Sequence, residues 1–350
     1  MPETKPGSFK QLLKDHFILF FFALSIVIGP AYNTYLHYDF SYSVDCKTYM
    51  AIGKGDFKDQ SVTRRYRVLV PFAAAIVAWP VSKMYTHLWP QRSDGDWPLR
   101  LAFLVINCVI TAIAAVYLFY ISRHYGASPI SSFMAMIAVM AGSWTNYITG
   151  LPMTDSLYLL VIVLTVYGIK ARNGPALLFC IFIGPFAKES FLFVAPIIFF
   201  WGCIPKWKQL ICFIISGALV FGVRYLIDQH AGTQYSASFF NAFDHTENFE
   251  YSIQRIFSAH GLGELFTVMG TFTFVILAGF FGKSERNKWI RAIDWPCIAL
   301  VLALIVHAIL SGEVARMLYF GAPVWALMLA LVLDRHKWLA GYRRLLGMNG

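Results

Sequence analysis

Residues 37–71 read HYDFSYSVDCKTYMAIGKGDFKDQSVTRRYRVLVP. They follow an apolar run at 17–36, about 20 residues long, the length that crosses ~30 Å of hydrocarbon. The polar stretch carries Asp39, Asp45, Asp56 and Asp59, then a basic cluster of Arg64, Arg65 and Arg67. Most of the chain outside it reads as apolar helix. Of the 350 residues 58% are hydrophobic and 14% charged, with a mean hydropathy of +0.57. Soluble domains sit near 45–50% apolar and about 25% charged. A β-barrel would need short alternating strands, and this sequence has none. The expectation is an all-α, polytopic transmembrane bundle of about ten helices, formed as one transmembrane domain over 1–350.

The expected helices cover 17–36, 99–121, 130–147, 153–169, 175–187, 191–204, 209–227, 263–281, 294–311 and 316–333. The pair 175–187 and 191–204 is short and is split by Pro185 and by Lys188-Glu189. A further apolar stretch, 68–88, is interrupted by Pro71 and Pro80 and is expected to be re-entrant or juxtamembrane. The first helix reads as uncleaved, because a signal peptide has a shorter apolar core and a small-residue cleavage site. Five cysteines fall in apolar runs and only Cys46 in a loop, so neither a disulfide framework nor a CxxC metal pattern follows.

Charge sets the expected orientation. The loops 1–16, 123–124, 170–172, 205–208, 282–291 and 334–344 hold sixteen Lys and Arg against four acids. By the positive-inside rule that side is cytoplasmic, with both termini on it. The same rule accounts for the net charge of +10 without nucleic acid as a partner. The opposite face then receives an outer catalytic-type loop at 37–98, a second outer loop at 228–262, and several polar islands. These are ITGLPMTDS with Asp155, FAKES with Lys188 and Glu189, and SGEVAR with Glu313 and Arg316. Charges at membrane depth usually face protein or a water-filled cavity, so islands on one face suggest one cavity open to it.

Each island has two readings. As helix, Asp45, Tyr49 and Ile52 share a face, and a carboxylate at the water boundary can take a proton from a hydroxyl. Asp45 can equally be a solvated loop acid or a helix N-cap. The three arginines match phosphate oxygens, or anchor the loop to anionic lipid. Asp155, after Thr154, can cap its helix. Lys188 and Glu189 can pair with each other, and Glu313 with Arg316 at i, i+3. Asp244, His230 and His245 lack tight metal-ligand spacing. His307 reads as a satisfied interior histidine.

The order of these motifs resembles the GT-C superfamily of integral-membrane glycosyltransferases. An outer loop with D-x-x-x-Y-x-x-x-x-x-G (Asp45, Tyr49, Gly55) follows the first helix, and RYRVLVP follows that loop. TDS, AKESFLFVAP and RMLYFGAP come later in the order that superfamily shows. Its members use sugars linked to polyprenyl or dolichyl phosphate, with the catalytic carboxylate in the first outer loop. The resemblance implies inverting glycosyl transfer at the outer face of a bacterial inner membrane, with Asp45 as base. It implies substrate contacts from Tyr49, Arg64, Arg65, Arg67, Asp155, Lys188, Glu189, Glu313 and Arg316; Asp39, in the same loop but outside that spacing, is a further candidate for substrate binding. The implied partners are a polyprenyl-phosphate-linked sugar, a glycan or lipid acceptor, and membrane lipid. Many members carry two adjacent acids in that loop, whereas Cys46 follows Asp45 here. A role for a divalent cation, Mg²⁺ or Mn²⁺, therefore stays open. Two other classes stay open as well: a lipid-linked-sugar transporter or flippase, expected to show repeats and midplane polar groups, and a non-catalytic membrane assembly subunit.

Overall fold

The computed structural model describes residues 9–93, 95–232 and 246–345. Asp244, His245 and the N-terminal residues 1–8 lie outside them. The described residues form nineteen α-helices and no strand. The N-terminal part comprises α1 (Phe9–His37), α2 (Val44–Gly53), α3 (Val62–Arg65), α4 (Leu69–Leu88) and α5 (Trp97–His124). Next come α6 (Pro129–Met140), α7 (Ser143–Gly150), α8 (Asp155–Lys170), α9 (Gly174–Ala187), α10 (Ala195–Trp201) and α11 (Lys206–Ala231). The C-terminal part holds α12 (Thr246–Ile256), α13 (Ala259–Thr267), α14 (Phe272–Gly279), α15 (Lys283–Ile290), α16 (Trp295–Ser311), α17 (Val314–Tyr319), α18 (Ala322–Arg335) and α19 (Ala340–Leu345).

All ten expected segments are helical, but the structure divides the chain more finely. Among the described residues four helices are long and apolar enough to cross a membrane: Asp15–His37, Leu69–Leu88, Trp97–His124 and Lys206–Ala231. The pair α13 and α14 makes a fifth if counted as one span bent by 95°. The expected helix 130–147 breaks at Gly142. There the Thr145 hydroxyl donates to the Val139 carbonyl at 2.5 Å, beside the Gly142 amide that donates to the same oxygen at 3.1 Å. The expected helix 316–333 breaks at Phe320–Gly321, just before Pro323, which cannot continue the hydrogen-bond ladder. The Trp325 indole closes that break by donating to the Leu318 carbonyl at 2.8 Å. A side chain at Gly321 would meet this indole at 2.6 Å, so the close approach depends on glycine.

The core centres on α8, whose residues 155–166 are all buried. A helix apolar on every side belongs in the interior of a bundle. α5 packs on it in the same direction: Asn107 meets the start of α8, and the Tyr117 and His124 rings lie against Tyr167. α1 runs antiparallel to α5, with His16 stacked on Tyr120 at 4.5 Å and the Tyr35 carbonyl accepting from Arg100 at 3.2 Å. Gly53 stands between Leu99 and the Pro71 carbonyl, and the Tyr85 hydroxyl meets that of Tyr35 at 3.5 Å. Both ends of α4 therefore have contacts near the N-terminal end of α5.

At the opposite end of α5 and α8, Tyr125 donates to Asp294 at 2.6 Å, Lys170 reaches the other Asp294 oxygen at 3.3 Å, and Ser128 donates to Asp334 at 2.8 Å. The loops near 123–128, 170, 294 and 334 thus share one end of the bundle. The polar segments around Asp45, Asp155, Lys188 and Arg316 share the other.

A candidate active site built from buried ion pairs

The site starts with α2. Ser43 caps this helix, its Oγ accepting from the Cys46 amide at 3.2 Å, so Asp45 is not the N-cap. Spacing of i, i+4 and i+7 puts Asp45, Tyr49 and Ile52 on the same buried face. Asp45 Oδ1 accepts from Arg64, and Oδ2 accepts from Arg316 Nη1 at 2.9 Å. Arg316, on α17, also donates to Asp155 and to the two Glu313 oxygens at 3.1 and 2.8 Å. The remaining Asp155 oxygen accepts from Lys188 Nζ at 3.3 Å. Arg67 grips Glu189 with two donors and reaches the Tyr49 hydroxyl at 2.8 Å.

Two local devices aim Asp155. It lies in the first turn of α8, where the exposed amide groups favour a carboxylate. Asn107 holds the strand of chain before it, donating to the Leu151 and Met153 carbonyls at 3.0 and 3.1 Å and accepting from Ser156 at 2.5 Å. Thr154 occupies the N-cap position without a side-chain capping bond, and the Asp155 carboxylate is turned to Arg316 and Lys188. The capping reading of Asp155 is therefore replaced by an ion-pair role.

Within the cluster, Arg64, Arg67, Lys188 and Arg316 face Asp45, Asp155, Glu189 and Glu313, and the charges balance. Burial pushes the Asp45 carboxyl up, but Arg316 and Arg64 outweigh it and hold the group below the usual carboxylate range. Burial also pushes the Tyr49 phenol up to about 12 and the Cys46 thiol up to about 11, so both stay neutral at physiological pH. Lys188 is the least fully bonded of the buried cations. Besides Asp155 it has the Met317 sulfur at 3.6 Å and the Phe320 and Tyr158 rings at 5.0 and 5.7 Å. An ammonium has three donors, so Lys188 retains capacity for a further acceptor. Arg316 Nε is likewise buried without a hydrogen-bond partner.

A cavity of about 290 Å³ adjoins the cluster. Arg316 and Glu313 form one wall, Trp144, Tyr147 and Tyr251 supply aromatic surface, and the Arg255–Glu264 pair flanks it. Asp45 lies behind Arg316. α7 is fixed beside the cavity by Trp144 Nε1 donating to the Thr267 hydroxyl at 2.9 Å. These aromatic residues and Arg255 and Glu264 escaped sequence reasoning. The aromatic spacing in GSWTNYITG, next to the TDS island, was the one signal for them.

The structure thus gathers Asp45, Tyr49, Arg64, Arg67, Asp155, Lys188, Glu189, Glu313 and Arg316. Two expectations change. Lys188 and Glu189 do not form a local pair; they turn to Asp155 and Arg67. The three arginines do not form one patch, because Arg65 leaves the cluster for Asp228 at 3.1 Å. Asp39 stays exposed just after α1, apart from the buried face of α2. The Glu313–Arg316 pair is present, as one part of the larger network. His230 is exposed and edge-on to Phe57. His307 is buried and stacked on Phe193 at 5.6 Å, but its Nδ1 lacks a hydrogen-bond partner, so it is interior without being satisfied.

Among the described residues no three His, Cys, Asp or Glu side chains gather as a metal site. The oxygens of Asp45 and Asp155 are already taken by cations. These residues do not fit Mg²⁺ or Mn²⁺ as arranged. No protein-family model, curated protein or solved structure matches the chain.

The pairing of Asp45 makes a prediction about pH. Its folded-state pKa lies below the unfolded value of about 3.9, so its stabilisation is present above that value and is lost as pH falls through the folded one. Thermal unfolding in detergent should therefore show Asp45→Asn less stable than the wild type at pH 7. The gap should narrow steadily as pH falls from about 5 toward about 3. A gap that is constant over this range would mean that the Asp45 charge contributes nothing to the fold.

Proposed function

We propose that the chain is a membrane glycosyltransferase that moves a sugar from a polyprenyl-phosphate-linked donor to a glycan or lipid acceptor on the outer face of the membrane. The observation that carries this reading is the convergence of Asp45, Asp155, Lys188, Glu189 and Arg316, from distant parts of the chain, beside an aromatic-walled cavity. Aromatic faces suit the C–H faces of a sugar ring, and convergent carboxylates suit its hydroxyls. The lipid phosphate is assigned to Lys188 and Arg316, the buried cations with unused donors.

In this mechanism an acceptor hydroxyl oxygen attacks C1 of the sugar from the face opposite the phosphate. The new C1–O bond forms as the C1–O bond to phosphate breaks, and the electron pair leaves on the polyprenyl phosphate. Asp45 takes the hydroxyl proton. A carboxylate held by two arginines is a weak base, so donor binding has to draw one of them away. Arg64 is suited to that exchange, since its side chain is 32% exposed while that of Arg316 is 5% exposed. Cations at the departing phosphate stabilise charge that grows in the transition state.

The positive-inside rule supplies the orientation in this reading: both termini cytoplasmic, 37–98 outside, and α4 lying along the outer side instead of crossing. The balanced charges favour a second reading. A self-neutralising cluster could simply hold together a non-catalytic subunit of a membrane assembly, with the same residues acting as a structural clasp.

Two experiments separate these ideas. In a transfer assay with a polyprenyl-phosphate-linked sugar, Asp45→Asn should lower the rate by at least about 10²–10⁴ while the protein remains folded. Lys188→Ala should weaken donor binding by roughly 1.5–3 kcal/mol, the worth of a charge-assisted hydrogen bond. Full transfer by Asp45→Asn would remove it as base; the subunit reading predicts no transfer by the wild type and a weakened assembly in Asp45→Asn, because the clasp loses a carboxylate. For topology, Lys58→Cys and Arg92→Cys, in a background without reactive cysteines, should both label from outside intact cells. Labelling of one and protection of the other would show that α4 crosses.

A further inference from the structure

The run Arg64–Arg67 sends its side chains in two directions. Arg64 and Arg67 turn into the cluster, while Arg65 and Tyr66 turn away to Asp228 in the last turn of α11. Arg65 Nη1 donates to Asp228 Oδ1 at 3.1 Å, and the Tyr66 hydroxyl lies 2.9 and 2.8 Å from the two carboxylate oxygens. The Arg65 and Asp228 side chains are 8% and 3% exposed, so this is a buried pair. Arg65 Nη2 also donates to the Gln60 carbonyl at 2.8 Å, tying down the chain that enters α3. Arg224, on α11, lies over the Tyr66 ring at 4.8 Å, and the Phe57 ring meets that of His230 edge-on at 6.1 Å.

α3 has four residues, and its N-cap Ser61 makes no side-chain capping bond. A helix this short has no stability of its own, so tertiary contacts must set its position. Those contacts come from two sides: the cluster holds Arg64 and Arg67, and α11 holds Arg65 and Tyr66. Asp228 touches none of the cluster carboxylates' cations except through this turn of chain.

We propose that Asp228 is a positioning residue: by holding Arg65 and Tyr66 it fixes the turn that aims Arg64 at Asp45 and Arg67 at Glu189 and Tyr49. Its consequence for sugar transfer rests on the function proposed above; the positioning itself does not. An α11 displaced at its Asp228 end would release both arginines from the site together.

Hydrogen exchange on the full-length protein in nanodiscs tests this, with Asp228→Ala, Asp228→Asn and Arg64→Ala beside the wild type. Peptides over 60–68 should exchange at least about tenfold faster in Asp228→Ala, with those over 155–170 unchanged. Asp228→Asn, which keeps an acceptor for Tyr66, should fall between, and it decides the matter if the alanine variant does not fold. Arg64→Ala should leave 60–68 close to wild type, because α11 still holds the turn. A synthetic polyprenyl phosphate in the nanodisc should slow exchange over 62–67 in the wild type and not in Asp228→Ala. Unchanged exchange over 60–68 in the Asp228 variants, or loosening that spreads equally to 155–170, would overturn the proposal. No slowing by the lipid phosphate in the wild type, with the Asp228 effect intact, would overturn the phosphate reading alone.

Discussion

Arg316 is the constraint around which this end of the molecule is built. Its guanidinium stays charged at any physiological pH, and burying it is costly unless carboxylates surround it. It is 5% exposed and meets Asp45, Asp155 and Glu313 together. That requirement brings α2, α8 and α17 to one point. The last long apolar segment is broken just after this residue: α17 stops at Tyr319 and α18 starts at Ala322. Glycine at 321 and the Trp325 indole make the break affordable. Removing one partner of a buried pair typically costs about 3–5 kcal/mol, so each carboxylate is tied to the others through the shared cation.

A balanced cluster has a chemical consequence. In a water-poor site, an incoming phosphate cannot simply add to cations already held by carboxylates; it has to compete for them. Lys188 is where that competition is easiest, with one carboxylate at 3.3 Å and a sulfur and two rings as its other neighbours. Arg64, the most exposed of the cations, is the one that can leave Asp45 at least cost. The same displacement that binds an anion would strengthen Asp45 as a base, which couples binding to proton transfer. The aromatic cavity lies on the Arg316 side of Asp45, so a sugar there would face the cluster across that guanidinium.

Much of this was legible in the sequence, because charged residues in a very apolar chain are few and each needs a reason. Helical spacing placed Asp45 and Tyr49 on one face, and the isolated TDS, FAKES and SGEVAR islands marked the other contributors. The pairings were not legible. Lys188 and Glu189 are neighbours in sequence, but an extended residue at 188 turns them apart, toward partners 33 and 122 residues away. The arginine run looked like one patch because alternation in a four-residue turn depends on α11, far along the chain. The helix breaks at Gly142 and Phe320–Gly321 were missed because hydropathy continues through them, while Thr145 and Trp325 add side-chain donors to the Val139 and Leu318 carbonyls at the breaks. The cavity walls were missed because Trp144, Tyr147 and Tyr251 carry no charge and come together only when α7 meets α12 and α17.

In the function proposed above, the Arg316 cluster is an anion site beside a sugar cavity. Its most direct test is an experimental structure of the protein in a lipid nanodisc with a polyprenyl phosphate added. The account predicts density for the phosphate within hydrogen-bond distance of Lys188 and Arg316, with Arg64 moved away from Asp45. A phosphate bound elsewhere, with the Asp45–Arg64 and Asp155–Lys188 pairs undisturbed, would contradict it and leave the cluster as a structural clasp.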